Sequence, residues 1–252
     1  MPRGLQLVPS SGDSSEPHAP VHSNGYLYWV MKAVLTPVLM LVFRPQVTGH
    51  SRLPRSGPAV LACNHVSYLD WMLLPLGVRT RRISFLAKQE YFDEPGARGR
   101  LKRYFFSATG QVPVDRAGAD ASTAALRAAA RLLEQGRLVG FFPEGTRSRD
   151  GHLQRGRTGV ARVAAHTGVP VVPCATVGLF HAAPAGVRLP RLSKVTVRFG
   201  EPLRFPDLQG RPPTSAELRA FTDELMNTIQ QLSGQEWADG PPHLRSPLVP
   251  GT

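Results

Sequence analysis

Short hydrophobic runs alternate with helical patterns along most of the chain. Residues 122–135 place apolar side chains at helical spacing from Leu126 to Leu133, and residues 214–232 do so from Leu218 to Ile229. The short runs predict strands at residues 59–64, 83–87, 138–142, 169–177 and 194–199. Because alternating strands and amphipathic helices are typical of α/β folds, we expect a central mixed β-sheet flanked by helices.

Before the first of these strands, the segment Gly25–Phe43 is apolar almost throughout and has Tyr26, Tyr28 and Trp29 at its start. Such aromatic residues favour a membrane interface. A full span needs about 20 apolar residues, and Lys32 and Pro37 disfavour one. We predict a helix lying in one leaflet, with Lys32 reaching the headgroups. The alternative is a buried helix of the folded domain.

The chain divides by composition. Residues 1–20 are rich in Pro, Ser, Gly and His and lack the pattern of a cleaved signal peptide, so we expect them to be disordered and retained. We expect residues 21–44 to form the membrane-associated helical segment and residues 45–235 to form one folded domain. Residues 236–252, rich in Pro and Gly, are expected to be a flexible tail.

A formal charge of +12 and a pI near 10.8 imply a negatively charged partner. Anionic membrane, phosphorylated substrate and nucleic acid all fit. The basic residues are dispersed and form no known nucleic-acid-reading motif, so we expect no nucleic-acid partner. The two cysteines, Cys63 and Cys174, lie in apolar segments, which favours buried free thiols and a reducing, cytosol-facing compartment.

Catalytic chemistry is indicated where the strand at 59–64 turns polar. His65 and Asp70 are five positions apart, so they would not share a face of one helix. They can meet if His65 lies in a turn and Asp70 begins the next helix. Asp70 would then fix the tautomer of His65, which could act as a general base. Alternatively, Ser67 and Asp70 form a capping box and His65 simply packs at the strand end.

Cys63 is a second candidate for chemistry, because in an extended strand it would point to the same side as His65. Its place within an apolar run favours a buried hydrophobic side chain over a nucleophile.

Two further segments place charged residues beside strand-like stretches. Residues 110–116 form a short strand-like piece that ends in Arg116, which could also be a surface residue paired with Asp115. A turn-forming loop after the strand at 138–142 contains Glu144 and Arg147. Glu144 and Arg147 could pair with each other, or the loop could bind a phosphate through backbone N–H groups and the guanidinium. Its spacing does not match a nucleotide-binding loop.

In this order, the motifs resemble those of the glycerolipid acyltransferases of the 1-acylglycerol-3-phosphate acyltransferase family. Asn64-His65-x4-Asp70 is similar to the family's catalytic motif, and Phe142-Pro-Glu-Gly-Thr-Arg-Ser148 matches its third motif closely. Gly110–Arg116 resembles the second motif and Val172-Pro173 the fourth. The resemblance covers about residues 47–202. Cys174 and Thr176 stand where more aliphatic residues are frequent.

The resemblance implies an enzyme that needs no cofactor or metal and uses acyl-CoA or acyl-carrier protein as donor, lysophosphatidic acid as acceptor and a cytoplasmic membrane surface as its site. His65 and Asp70 would be catalytic. Val172 and Pro173 would line an acyl or acceptor pocket. Another lysolipid acceptor, or a non-catalytic basic membrane-binding role, remains the alternative. The substrate-binding residues would be Lys88, Gly110, Arg116, Glu144, Gly145, Thr146 and Arg147.

Overall fold

The computed structural model describes residues 25–115, 121–184 and 190–240 of the chain. The predicted Arg116 and residues 1–20 lie outside these ranges. The helices are α1 (Gly25–Phe43), α2 (Asp70–Leu73), α3 (Glu90–Asp93), α4 (Gly96–Ala108), α5 (Ala121–Glu134), α6 (Gly159–Thr167), α7 (Leu179–Ala182) and α8 (Ser215–Ser233). The strands are β1 (Gln46–Thr48), β2 (Ala59–Cys63), β3 (Ile83–Lys88), β4 (Gln111–Val114), β5 (Leu138–Phe141), β6 (Val171–Val177) and β7 (Thr196–Phe199).

The seven strands form one sheet in the order β1-β7-β6-β2-β5-β3-β4. Strands β2 to β6 are mutually parallel, whereas β7 runs antiparallel to β6 and parallel to β1. The predicted mixed sheet is therefore confirmed. Because β2 lies between β5 and β6, their carboxyl ends bring three different chain segments to one edge of the sheet.

Two hydrophobic cores cover the two faces of the sheet. One contains the inner side chains of α1 and α2, with Phe43, Leu73 and Phe199 among its fully buried residues. The other is built from α5, α6 and α8, including Leu133, Leu225 and Met226. The α8 helix begins with a capping box between Thr214 and Glu217, which satisfies backbone N–H groups at its first turn.

Helix α1 packs on the domain with one face and leaves apolar side chains exposed on the other. Tyr28, Leu39 and Phe43 are buried, while Val34, Val38 and Leu41 are exposed. By length and composition α1 is long and apolar enough to cross a membrane. The exposed apolar face excludes the alternative of a wholly buried helix.

The contacts of Lys32 differ from those predicted from the sequence. Its ammonium group donates a hydrogen bond to the carbonyl of Val78 and lies 5.3 Å from the ring centroid of Trp29. The Lys32 ammonium group is therefore hydrogen-bonded to the folded domain. The predicted extension of Lys32 to lipid headgroups is wrong in this structure, because the domain offers a nearer acceptor.

Candidate active site

His65 and Asp70 meet at the carboxyl edge of the sheet. Asp70 is the first residue of α2, and its Oδ2 lies 2.8 Å from Nδ1 of His65. Thus His65 occupies the turn after β2 and Asp70 begins the next helix, which is the arrangement their spacing required. The side chain of His65 is 18% exposed and that of Asp70 is fully buried. One ring nitrogen is held by the carboxylate, and the other is left for a reacting group.

The turn between β2 and α2 is wrapped around the Asp70 carboxylate. Oδ2 also accepts hydrogen bonds from the backbone N–H groups of Val66 and Ser67, at 2.9 and 2.8 Å. Only this half of the predicted capping box forms, because the Ser67 hydroxyl oxygen accepts from the N–H of Leu69 instead of that of Asp70, while its proton is donated to the carbonyl of Ala183. Asp70 therefore organises the turn and orients His65 at the same time, so the two interpretations of the motif are not exclusive.

The imidazole of His65 is also fixed by stacking. Its ring lies 4.0 Å from the ring of Phe142, centroid to centroid, with an interplanar angle of 16°. Phe142 in turn stacks on Phe85 at 6.0 Å. Phe142 directly follows β5, so the neighbouring strand determines how the base is tilted. Phe142 is the first residue of the motif that ends at Ser148, but nothing in that motif indicates this contact.

Glu144 supports the backbone around His65. Its Oε1 accepts the N–H of His65 at 2.7 Å, and its Oε2 accepts the N–H of Gln154 at 3.0 Å. Only 3% of Glu144 is exposed, and burial raises the pKa of its carboxyl group to about 7 against the opposing effect of the two backbone hydrogen bonds. Both oxygens are committed to backbone, so Glu144 orients the loop. The suggested pair between Glu144 and Arg147 does not form.

The loop that follows Glu144 is tied to His65 but exposes its tip. The N–H of Ser148 donates to the carbonyl of His65 at 2.8 Å, whereas Gly145, Thr146 and Arg147 are exposed. Gly145 adopts a φ of +74°, and a Cβ there would lie 2.8 Å from Nε of Arg157, so the turn requires glycine. The exposed tip leaves Arg147 available beside the base.

The remaining predicted substrate-binding residues occupy different places. Lys88 ends β3, at the same edge of the sheet as His65, and its ammonium lies 3.7 Å from Oε2 of Glu90. Gly110 precedes the amino end of β4 and is therefore at the opposite edge. With a φ of +88° and Ile83 O only 2.5 Å from a would-be Cβ, it shapes the α4–β4 turn. The prediction that Gly110 contacts substrate is therefore wrong. Gly110 lies before the amino end of β4, whereas His65 follows the carboxyl end of β2, and these ends are at opposite edges of the parallel strands.

The pair Val172 and Pro173 lies in the middle of β6, and both residues are buried. Their part in an acyl or acceptor pocket stays a prediction. A small apolar cavity of about 30 Å³ instead lies between α1 and the segment after Asp70, with Met31, Leu35, Trp71, Met72, Pro75 and Leu76 among its lining residues. Cys63 is fully buried, and burial raises the pKa of its thiol, which disfavours a nucleophilic thiolate.

Polar residues of β6 and of the segment after α8 complete the site and were not predicted. The hydroxyl of Thr176 donates to Oδ1 of Asp70 at 2.7 Å, and its N–H donates to Oδ1 of Asn64 at 2.8 Å. Asn64 Nδ2 donates to Gln235 at 2.6 Å, and Gln235 donates to the carbonyl of Gly151 at 2.6 Å. No local pattern marks Gln235, because it is distant in sequence from the residues it contacts. In the three described ranges, no group of His, Cys, Asp and Glu is arranged to hold a metal ion.

Comparison with known proteins identifies the class. A family profile described as Acyltransferase matches residues 44–177, which contain the sheet edge with His65 and Asp70. The chain belongs to the acyltransferase family, and it is an enzyme of that class.

Individual relatives and a solved structure agree with this assignment. The chain is 29% identical over 210 residues to the 1-acyl-sn-glycerol-3-phosphate acyltransferase of Bacillus subtilis, covering 83% of this chain and 98% of that protein. It is 37% identical over 146 residues to a chloroplast protein of the same name from Arabidopsis thaliana, covering 57% and 39%. The crystal structure of the 1-acyl-sn-glycerophosphate acyltransferase PlsC from Thermotoga maritima superposes with a TM-score of 0.62 at 27% identity, covering 84% and 82%. Together with the exposed apolar face of α1, these similarities associate the protein with membrane lipid.

Proposed function

We propose that this enzyme transfers a fatty-acyl group from acyl-CoA or acyl-carrier protein to the sn-2 hydroxyl of 1-acylglycerol-3-phosphate, giving phosphatidic acid. The observation that carries the proposal is the buried Asp70 carboxylate holding Nδ1 of a partly exposed His65. The names of the similar proteins from Bacillus subtilis, Arabidopsis thaliana and Thermotoga maritima support the choice of acceptor.

In the proposed reaction, the acceptor hydroxyl lies against the free ring nitrogen of His65. As the hydroxyl oxygen attacks the thioester carbonyl, this nitrogen takes the hydroxyl proton, and Asp70 stabilises the imidazolium that forms. The C–S bond then breaks, and the imidazolium returns the proton to the departing thiolate. Acyl transfer is direct, so no acyl-enzyme forms.

Arg147 is proposed to bind the acceptor's phosphate. The adjacent Ser148 is bonded to the backbone of His65, which places the exposed arginine next to the base. A guanidinium forms two parallel hydrogen bonds to a phosphate, whereas an ammonium binds it as a point charge. Arg116 and Lys88 are proposed as further cationic contacts on the strength of the motif resemblance.

Arg147→Ala is expected to raise the apparent KM for lysophosphatidate about 10-fold or more, because a charged hydrogen bond contributes about 1.5–3 kcal/mol. Monoacylglycerol, which lacks the phosphate, should show little change, and Arg147→Lys should recover part of the loss. Steady-state kinetics on both acceptors measure the difference. Equal losses on the two acceptors would assign Arg147 to structure or to the donor.

The acyl acceptor is tested with a matrix of donors and acceptors read by lipid mass spectrometry. The proposal expects the highest kcat/KM with lysophosphatidate. A higher kcat/KM for a lyso-aminolipid or for a lysophospholipid with a larger head group would replace the proposed acceptor while keeping acyl transfer.

We also propose that α1 lies in one leaflet at the cytoplasmic face, because Lys32 and Pro37 interrupt its apolar run.

A further inference from the structure

Helix α4 carries an exposed apolar stripe that the proposed reaction does not use. Ala97, Leu101 and Tyr104 recur at helical spacing, and all three are exposed. Leu101 is 69% exposed and Tyr104 is 55% exposed. Apolar side chains at i, i+4 and i+7 of a helix normally face the interior of a protein. Here the opposite face of α4 already packs inward, through Gly99 and Ser107.

Basic residues border this stripe. Arg98 and Arg100 are exposed, and within the described part of the chain neither forms an ion pair with a carboxylate within 4.0 Å. Arg103 is also exposed, although its Nε donates to the carbonyl of Phe92. An exposed apolar stripe with cationic borders is the pattern of a helix that lies in the interface of an anionic bilayer.

The position of α4 in the fold connects this surface with α1 and with the active site. Helix α4 contacts α1, whose outer face exposes Val34, Val38 and Leu41. On the domain side, Phe105 and Phe106 of α4 have their rings 6.2 Å from Trp71, the residue after Asp70. The helix that carries Asp70 is therefore packed directly on α4.

We propose that the α4 stripe is a second lipid-contacting surface, which docks on anionic headgroups beside α1 and holds the active site at the bilayer. Contact with the bilayer through both α1 and α4 would fix the orientation of the folded domain. Contact through α1 alone would leave the domain free to rotate about that helix. The proposal adds to the membrane association of α1 and does not depend on which lipid is the acyl acceptor. A second copy of the chain or a nucleic acid is less suitable, because the stripe combines apolar side chains with cations in the way lipid requires.

The chain allows a site-specific test, since both native cysteines are buried and would not react with a thiol probe. Leu101→Cys is labelled with an environment-sensitive fluorophore, and Arg131→Cys on α5 serves as the matched control. Arg131 is exposed, and α5 covers the other face of the sheet. Vesicles contain phosphatidylcholine alone or mixed with phosphatidylglycerol, with and without a quencher on the acyl chains.

With anionic vesicles, the label at residue 101 should shift to shorter wavelength and be quenched by the acyl-chain quencher, whereas the label at residue 131 should not change. Flotation of the protein without a change at residue 101 would overturn the proposal and leave the α1 contact intact. Absence of flotation would overturn both lipid contacts. A change at residue 101 only with nucleic acid, or only as the chain self-associates, would replace lipid as the partner.

Charge removal provides an independent measurement. Arg98→Gln combined with Arg100→Gln should weaken binding to anionic vesicles about 30-fold, given roughly 1 kcal/mol for each basic residue at such a surface. Arg127→Gln combined with Arg131→Gln on α5 removes the same charge and should have much less effect. Equal effects of the two pairs would show that only net charge matters and would overturn a specific α4 surface.

A different observation carries a second inference, concerning Thr176. We propose that Thr176 is a positioning residue for the His65–Asp70 pair. Its hydroxyl donates to the Asp70 oxygen that does not contact His65, while Asn64 and Gln235 hold its strand in place. Thr176 is 2% exposed, so loss of its hydroxyl would leave a buried oxygen of Asp70 without this donor. An aliphatic side chain at this position could not make this bond.

Thr176→Val and Thr176→Ser separate the hydroxyl from the side-chain shape. We expect Thr176→Val to lower kcat about 10-fold with little change in KM, as expected from loss of one charged hydrogen bond, and Thr176→Ser to restore most of it. Thr222→Val is the control, because this buried hydroxyl donates to Leu218 O at 2.7 Å, inside α8. A kcat loss in Thr176→Val no larger than in Thr222→Val, or no rescue by serine, would make Thr176 merely structural.

Discussion

His65→Ala is expected to lower kcat for acyl transfer by about 10²–10⁴-fold, the usual contribution of a general base. The substitution removes the only proposed acceptor for the hydroxyl proton and leaves a cavity between Phe142 and Asp70. The fold should persist, because the backbone bonds from His65 to Glu144 and Ser148 do not involve the imidazole. Kinetics and thermal unfolding measure the two effects separately. Turnover near the wild-type value in a folded variant would exclude this base.

Asp70→Asn is expected to lower kcat by a similar factor with a small effect on folding. The amide oxygen can take the place of Oδ2 and accept from Val66, Ser67 and His65, while the amide NH₂ faces Thr176, whose hydroxyl can rotate to accept. The tautomer of His65 would be kept, and the loss would come from the missing negative charge beside the imidazolium.

Asp70→Ala provides the contrast to that variant. It leaves the N–H groups of Val66 and Ser67 without their acceptor, each at a cost of about 1–3 kcal/mol, so stability should fall together with activity. Thermal unfolding and kcat/KM are compared for the two variants. Full activity in Asp70→Asn would contradict a role for the carboxylate charge, and equal unfolding temperatures in both variants would contradict its role in the turn.

The sequence predicted most of the fold because hydrophobic spacing reports which faces are buried. Five of the strands and the helices α5 and α8 follow directly from it, with shifts of one or two residues at their ends. Strand β1 was missed because Gln46–Thr48 is too short to show a pattern. Helix α4 was missed for a physical reason, since its stripe of Leu101 and Tyr104 is exposed and interrupted by glycine and arginine.

The active site was predictable only where its residues are close in sequence. The spacing of His65 and Asp70 required a turn followed by a helix, and the structure has that arrangement. Contacts between segments that are distant in sequence leave no comparable spacing from which they could be predicted. Thr176 and Gln235 reach the same cluster from β6 and from beyond α8, and Glu144 is bonded to the turn instead of to Arg147. Gly110 was misplaced because its motif is contiguous with β4, which begins at the opposite edge of the sheet.

The most direct test follows an isotope-labelled acyl group from an acyl thioester into lysophosphatidate on vesicles, with the wild-type enzyme and with His65→Ala. Tandem mass spectrometry locates the label within the product, and intact-protein mass spectrometry checks for acyl-enzyme. The proposed mechanism predicts labelled phosphatidate with the label at sn-2, no acylated protein, and loss of nearly all product in His65→Ala. Equal product from both proteins, or label trapped covalently on the enzyme, would contradict direct transfer with His65 as the base.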